Sequence, residues 1–159
     1  MPIAEIENGG VAAKPADEAQ LSDLAAHLRL AITRTARRLR QEAGRELSPS
    51  QVSALATIER HGPLSPSELA DRESVKRPTA TRVAAKLEEM GTIARTADPA
   101  DARSSRLRIT PNGRALLGRL RRRKTAYLAQ RLRSLDGDEL GTLERASELL
   151  ERMLEGERS

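Results

Sequence analysis

One short segment of the chain concentrates cationic and hydroxyl side chains with no acidic residue among them. Between Ser74 and Leu87 it supplies four cations, two threonines and a proline, which are Lys76, Arg77, Pro78, Thr79, Thr81, Arg82 and Lys86. Guanidinium and ammonium groups bind phosphate oxygens, and Arg and Thr side chains can also reach base edges in a major groove. The residue types therefore favour contact with nucleic acid over catalysis. A solvated charged face on an ordinary helix is the alternative.

The helix that must carry this segment is predicted to run from Arg77 to Met90, with Gly91 as its C-terminal cap. At about 100° per residue, its small apolar side chains fall on one side and its cationic and hydroxyl side chains on the other. Neither Lys76 nor Arg77 is a good N-cap, so the first backbone amides of the helix are expected to lack an acceptor. A DNA phosphate could supply one.

Two capping boxes predict the helices that come before this one. Ser48-Pro49-Ser50-Gln51 and Ser65-Pro66-Ser67-Glu68 each place Ser at the N-cap, Pro at the first helical position and Gln or Glu three residues after the Ser. The first of these helices stops at His61-Gly62-Pro63, and the second gives out around Glu73. Two short helices joined by a tight turn make a helix-turn-helix candidate.

After the helix-turn-helix candidate, the pattern changes to that of a small β-hairpin. Residues 93–97 and 104–109 are short segments, the second alternating Arg with Leu and Ile, and the polar residues 98–103 form the turn between them. Arg103 lies in that turn, and Arg is the residue that inserts into narrow, electronegative minor grooves. In isolation the segment is an ordinary polar turn. A helix followed by such a wing could straddle a duplex.

Long amphipathic helices are predicted at both ends of the chain. The first runs from Leu21 to near Gly44, and two more begin after a cap at Thr110 and a third capping box, Asp136-Gly137-Asp138-Glu139. Their apolar stripes exceed what a small winged core can cover, and a symmetric homodimer would bury them. A monomeric helical cap is the alternative. The stripes comprise Leu21, Leu24, Leu28 and Ile32 at one end and Leu140, Leu143, Leu150 and Met153 at the other.

The predicted fold class is therefore mainly α, a winged helix-turn-helix with long N- and C-terminal dimerisation helices and a two-stranded wing. We divide the chain into four parts: a disordered or loosely docked tail (1–20), an N-terminal dimerisation helix (21–47), a DNA-binding lobe (48–110) and C-terminal dimerisation helices (111–159).

Composition excludes several functional classes. The 159 residues suit one domain, and the lack of cysteine excludes a disulfide framework, a zinc ribbon and a thiol nucleophile. His27 and His61 fall on separate helices, and neither a Gly-rich phosphate loop nor a nucleophile elbow occurs. We therefore predict no enzyme, no cofactor and no metal site. No export signal or membrane-spanning stretch is found, so we expect a cytoplasmic protein without a membrane partner.

Charge points to a polyanionic partner. The net charge is +5, of which residues 1–20 contribute −3 and the remainder +8. RNA readers stack bases on aromatic side chains, and Tyr127 is the only aromatic residue, so double-stranded DNA is preferred. A winged helix used for protein contact is a further alternative, although it would not need a cationic face.

Taken together, these motifs resemble the MarR family of winged helix-turn-helix transcriptional regulators. The resemblance runs from about Leu21 to Leu154. Its most specific part is the wing pattern Asp-Pro-x-Asp-x-Arg, followed by a strand, Thr110 and Gly113; Ala102 and Ile109 stand where the family usually has Arg and Leu. The matching segments are Leu64-Ser-Pro-Ser-Glu-Leu-Ala70, Arg77-Pro-Thr-Ala-Thr-Arg-Val83, Leu87-Glu-Glu-Met-Gly91 and Asp98-Pro-Ala-Asp-Ala-Arg103.

The resemblance implies a homodimeric regulator, expected to be a repressor, that binds double-stranded DNA and is released by a small anionic or phenolic effector. It adds Ser65, Ser67, Asp101 and Arg103 to the expected DNA-binding residues, with Arg103 at the minor groove and oriented by Asp101 through a charge-assisted hydrogen bond. An anionic effector could meet three side chains of the first helix, which are otherwise solvated or paired with acidic residues. These are His27, Arg34 and Arg38.

Overall fold

The computed structural model describes residues 17–100 and 104–155, which form six helices and one two-stranded antiparallel sheet. This confirms the predicted mainly α fold class, with its helix-turn-helix and two-stranded wing. The first helix begins at Glu18, three residues before the predicted Leu21, because an acidic side chain in the first turn stabilises the amino end of a helix. The elements are α1 (Glu18–Glu42), α2 (Pro49–His61), α3 (Pro66–Arg72), α4 (Arg77–Glu89), β1 (Ile93–Ala97), β2 (Ser105–Ile109), α5 (Pro111–Leu132) and α6 (Gly137–Glu155).

Helices α2 and α3 begin with the same hydrogen-bonded capping arrangement. In each, a serine hydroxyl accepts a hydrogen bond from the amide three residues later, and the Gln or Glu side chain at that position accepts one from the serine amide. Gln51 Oε1 lies 2.7 Å from Ser48 N, and Glu68 Oε2 lies 2.7 Å from Ser65 N. Both predicted capping boxes are therefore confirmed, and each satisfies two amides that the helix itself cannot.

The hydrophobic core draws on α2, α3, α4, the hairpin and the first half of α5. Its least exposed large apolar side chains are Leu55, Ile58, Leu69, Leu87, Leu107 and Leu117. Leu107 of β2 also pairs through its backbone with Leu64, with N···O distances of 3.1 and 2.7 Å. The hairpin is thus attached to the segment that leads into α3 by backbone hydrogen bonds as well as by side-chain burial.

The chain forms two structural units, with the boundary after Arg37. Helix α1 carries no buried residue, and its Leu21 and Leu24 are about half exposed. In the second unit, α6 begins with the predicted capping box between Asp136 and Glu139, and it also buries no residue. None of the described helices has the length and apolar character that a membrane crossing requires. The division of the chain into four parts remains a prediction.

The close approach of α5 to the end of α4 gives a test of the packing. A Cβ added at Gly113 would overlap the Thr92 carbonyl oxygen and lie 2.8 Å from Ile109 Cγ1. Because backbone cannot move aside as a flexible side chain can, we expect Gly113→Ala to lower the free energy of unfolding by about 2 kcal/mol or more, measured by urea denaturation.

Another glycine of α5 provides the matched control. A Cβ at Gly118 would meet only the mobile guanidinium of Arg122, 3.3 Å away. We therefore expect Gly118→Ala to leave stability unchanged or to raise it by up to about 1 kcal/mol, through the higher helix propensity of alanine. Equal losses in the two variants would contradict the close approach at Gly113.

Candidate nucleic-acid interface

The turn between α3 and α4 is held by both backbone and side-chain hydrogen bonds. Ser74 adopts a left-handed conformation, with φ of 52°, which residues other than glycine rarely take. The Val75 amide donates to the Ala70 carbonyl over 3.0 Å, and the Thr57 hydroxyl of α2 donates to the Glu73 carboxylate. These contacts fix the direction in which α4 leaves the turn.

Helix α4 separates a buried face from an exposed face, as the helical wheel predicts. Ala80, Ala84 and Leu87 are buried against the core. On the other face Thr79 is half-buried, and the remaining predicted DNA-contacting residues of this segment are exposed. The exposed residues are Lys76, Arg77, Pro78, Thr81, Arg82 and Lys86.

The cations of this exposed face differ in their local partners. Lys86 Nζ lies 2.7 Å from Glu89 Oε2, and this hydrogen bond raises the pKa of Lys86. The side chains of Lys76, Arg77 and Arg82 make no ion pair or hydrogen bond with any residue of 17–100 or 104–155. Their charge is therefore available to a ligand outside the protein.

The amino end of α4 offers fewer open amides than the sequence suggested. Lys76 makes no side-chain cap, as expected, and Pro78 has no amide hydrogen. However, the Thr79 amide donates to the Lys76 carbonyl over 2.9 Å, because the first turn is tight enough for a bond across three residues. The expectation that the first amides all lack an acceptor is wrong for Thr79. The amide of Arg77 is the one in this turn that has no acceptor among the described residues.

The predicted contacts at the start of α3 are less accessible than those of α4. Ser65 and Ser67 are both half-buried, and the Ser65 hydroxyl already accepts the Glu68 amide as the N-cap. Ser67 lies in the first turn of the helix with no side-chain hydrogen bond to the described residues. Ser67 therefore has the freer hydroxyl of the two.

The wing has the predicted antiparallel pairing, with Ile93 opposite Ile109 and Ala97 opposite Ser105. Beyond the last pair, the Asp98 amide donates to the Ser104 carbonyl over 3.1 Å. The predicted contacts at the tip, Asp101 and Arg103, lie outside the described residues. Their roles remain predictions.

Comparison with known proteins identifies the arrangement. The family model described as MarR matches residues 47–105, which contain the helix-turn-helix and most of the wing. An HTH-type transcriptional regulator of Mycobacterium tuberculosis is 38% identical over 128 residues, covering 80% of this chain and 90% of that protein. The chain belongs to the MarR family of transcriptional regulators. Because MarR proteins are regulators and not enzymes, the prediction that this protein is not an enzyme is confirmed.

Two further proteins extend the comparison. The HTH-type transcriptional repressor MdtR of Bacillus subtilis is 33% identical over 94 residues, or 59% of this chain and 61% of that protein. The structure of a mutant of S. aureus MepR bound to an oligodeoxyribonucleotide is 18% identical and has a TM-score of 0.64, covering 85% of this chain and 98% of that one. This last similarity concerns the fold.

Two arginines of the MarR-type wing bind the helix-turn-helix, and neither was among the predicted site residues. Arg95 of β1 donates from Nε to Glu88 Oε2 of α4 over 2.7 Å, and from Nη1 to Ser105 Oγ over 3.2 Å. Arg106 of β2 donates from Nε to Asp98 Oδ2 and from Nη1 to Glu68 Oε2, each over 2.7 Å. The alternation of β2 placed Arg106 on the face opposite the core, but its partner on α3 is 38 residues away, beyond any local pattern.

The predicted effector-binding side chains are distributed along α1. His27 and Arg34 are exposed and belong to the first unit. Arg38 belongs to the second unit, where it pairs with Glu42 over 2.8 Å and lies 5.4 Å from the centre of the Tyr127 ring. The nearby guanidinium of Arg38 is the main cause of a lowered pKa for Tyr127.

A second guanidinium faces the same ring. Arg131 lies 5.3 Å from the centre of the Tyr127 ring, so this aromatic side chain has a cation–π contact from each of two arginines. No three His, Asp or Glu side chains within 17–100 and 104–155 converge as a metal site would require.

The contact between Arg106 and Glu68 predicts how the stability of the protein depends on pH. The Ser65 amide, followed by the Ser65 hydroxyl and the charge of Arg106, lowers the pKa of Glu68 below its ordinary value of 4.5. The resulting contribution to stability is complete above pH 4.5 and is lost as the pH falls through the lowered value. We expect Arg106→Gln to raise this pKa while leaving it below 4.5, because the Ser65 amide remains.

The measurement is a carboxyl-carbon NMR titration of Glu68 in the wild type and in Arg106→Gln. Arg108→Gln is the control, because Arg108 lies on the same strand without a contact to Glu68. If Arg106→Gln left the pKa of Glu68 unchanged, the ion pair would be absent in solution.

Proposed function

We propose that the protein is a sequence-specific double-stranded DNA-binding transcriptional repressor that binds a pseudo-palindromic operator as a homodimer. The observation that carries the proposal is the exposed face of α4, where three cations have no partner among the described residues and stand beside a wing attached to the same core. MdtR, the HTH-type relative described above, is a transcriptional repressor. Such a regulator acts on the chromosome, so we place it in the cytoplasm.

The proposed DNA contacts divide into two kinds. Arg82 and Thr81 project from the exposed face of α4 and are the proposed readers of base edges in the major groove. The cations at the start of α4, with Lys86 at its end, contact phosphates and set the register of the helix on the duplex. On the wing, Arg103 and exposed Arg108 supply the cations for the minor groove and its backbone, and Asp101 orients Arg103.

The homodimer is supported by apolar surface that the single chain does not cover. On α6 the exposed large side chains are Leu140, Leu143, Leu149, Met153 and Leu154, and those on α1 are Leu21, Leu24, Leu28, Leu30 and Ile32. Apolar faces of this extent usually mark an interface, and a second copy would cover both by symmetry. Two symmetric recognition helices would then enter successive major grooves, with half-sites about 10 bp apart.

The proposal extends to release by a small anionic or phenolic effector. Arg38 and Arg131 each face the Tyr127 ring, so a carboxylate or phenolate there would meet two cations and an aromatic surface. His27 and Arg34 belong to the first unit and stay separate predicted effector contacts. An effector would weaken the protein's affinity for its operator by favouring a conformation that does not bind DNA.

The first prediction from this proposal separates base reading from phosphate binding. We expect Arg82→Ala to cost about 1–3 kcal/mol on a duplex that the purified protein selects from a random library, and to relax preference at particular base pairs. Lys86→Ala is the matched control, which should weaken all sequences alike. Affinities would be measured by fluorescence anisotropy on selected and random duplexes. Equal losses on both duplexes for Arg82→Ala would refute its role in base reading.

The second prediction tests the homodimer. Leu143 and Leu154 lie on one side of α6, and each leucine removed from water contributes about 1.5–3 kcal/mol. We expect Leu143→Gln combined with Leu154→Gln to weaken self-association roughly a hundredfold or more, measured by sedimentation. Glu148→Gln combined with Glu155→Gln changes another side of the same helix and should leave the dimer intact. A wild type that sediments as a monomer while binding its selected duplex would contradict the proposal.

A further inference from the structure

Arg106 occupies a position on the wing where a cation for DNA would be expected, yet its guanidinium is already bound. Its Nε and Nη1 atoms each lie 2.7 Å from a carboxylate, that of Asp98 in the wing and that of Glu68 on α3. The Asp98 side chain is 8% exposed, so one of the two acceptors is largely shielded from water. A guanidinium suits this geometry, because its planar fork can serve two carboxylates at once.

A neighbour on the same strand shows the contrast. Arg108 lies two residues further along β2, on the same face, and is exposed with no side-chain partner among the described residues. Of these two arginines, Arg108 can reach a phosphate without breaking a contact within the protein. Arg106 would first have to release two charge-assisted hydrogen bonds.

The contacts of Arg106 join elements that both face the DNA in the proposed function. Glu68 lies on α3, the first helix of the helix-turn-helix, and Asp98 directly follows β1. Arg95 makes a second connection, from β1 to Glu88 near the end of α4. The wing is therefore linked by arginine to each helix of the helix-turn-helix.

We propose that Arg106 is a positioning residue that holds the wing against α3 through Glu68 and Asp98, and so sets where the wing meets the duplex without touching DNA itself. The inference rests on the proposed function, since it concerns how that DNA-binding surface is assembled. The ion pair of Arg106 with Glu68, whose side chain is about half exposed, adds little to global stability. The expected effect of removing it is a less ordered wing in a folded protein.

The test is a double-mutant cycle on the full-length protein and its selected duplex. Glu68→Gln removes the charge opposite Arg106 and retains the helix cap, because Gln51 serves in the same position of α2. We expect Arg106→Gln to weaken binding about three- to thirtyfold, and Glu68→Gln to weaken it less, because Asp98 still holds the guanidinium. The double variant should bind the duplex no more weakly than Arg106→Gln alone.

Two further variants distinguish positioning from direct contact with phosphate. Arg106→Lys keeps the positive charge but loses the planar guanidinium that serves two carboxylates. A positioning role therefore predicts a loss of DNA affinity close to that of Arg106→Gln, whereas a phosphate contact would be rescued by lysine. Arg108→Gln is the matched control. It should reduce the slope of log affinity against log salt concentration by about one unit per protomer, because one phosphate contact is lost. Arg106→Gln should leave that slope unchanged. The inference is overturned if Glu68→Gln tightens binding, or if Arg106→Lys restores it.

A readout without DNA separates this inference from the proposed function. Amide hydrogen exchange in β1 and β2 should be about threefold or more faster in Arg106→Gln and Glu68→Gln, while exchange in α2 stays near wild type in both variants and thermal unfolding stays near wild type in Glu68→Gln. If the wild type bound no duplex DNA, the proposed function would fail, and the exchange rates would still show whether Arg106 orders the wing. Unchanged exchange in both variants would overturn the inference even in a protein that binds DNA.

Discussion

A two-stranded hairpin is marginally stable in water on its own, so the wing of this protein depends on what it is attached to. The attachment is Leu107, whose side chain is fully buried and whose backbone pairs with Leu64. Ser65 follows Leu64 and caps α3, while β2 leads through Ile109 into α5. The same pairing that anchors the hairpin therefore fixes the start of the helix-turn-helix. Both proposed DNA-binding elements depend on this backbone contact between Leu64 and Leu107.

The features that could be predicted from sequence are those whose interactions are local. The capping boxes at Ser48, Ser65 and Asp136 each involve a partner three residues away, and all three occur in the structure. Likewise, the two faces of α4 follow from helical periodicity, so its exposed cations were found without knowledge of the core. The wing strands followed from alternation and from the polar turn between them, and their bounds differ from expectation by one residue at Ser105.

The features that escaped prediction depend on distance in sequence or on fine backbone geometry. Arg106 and Glu68 are 38 residues apart, and Thr57 and Glu73 are 16 apart, so no window of sequence contains a signal that links them. The acceptor of the Thr79 amide depends on how tightly the first turn of α4 is wound. As a result, the sequence identifies which cations the interface contains but cannot tell which of them are already bound within the protein.

One carboxylate oxygen serves two donors that reach it by different routes. Glu68 Oε2 accepts the nearby Ser65 amide and also the guanidinium of Arg106 from the distant strand β2. The first bond closes a loop of a few residues and can form as soon as the chain bends, whereas the second requires the hairpin to have docked. A helix of seven residues is too short to persist alone, so α3 gains its full set of terminal contacts late in folding. Helix α2, with the same kind of cap and no such distant partner at Gln51 among the described residues, can complete its amino end early.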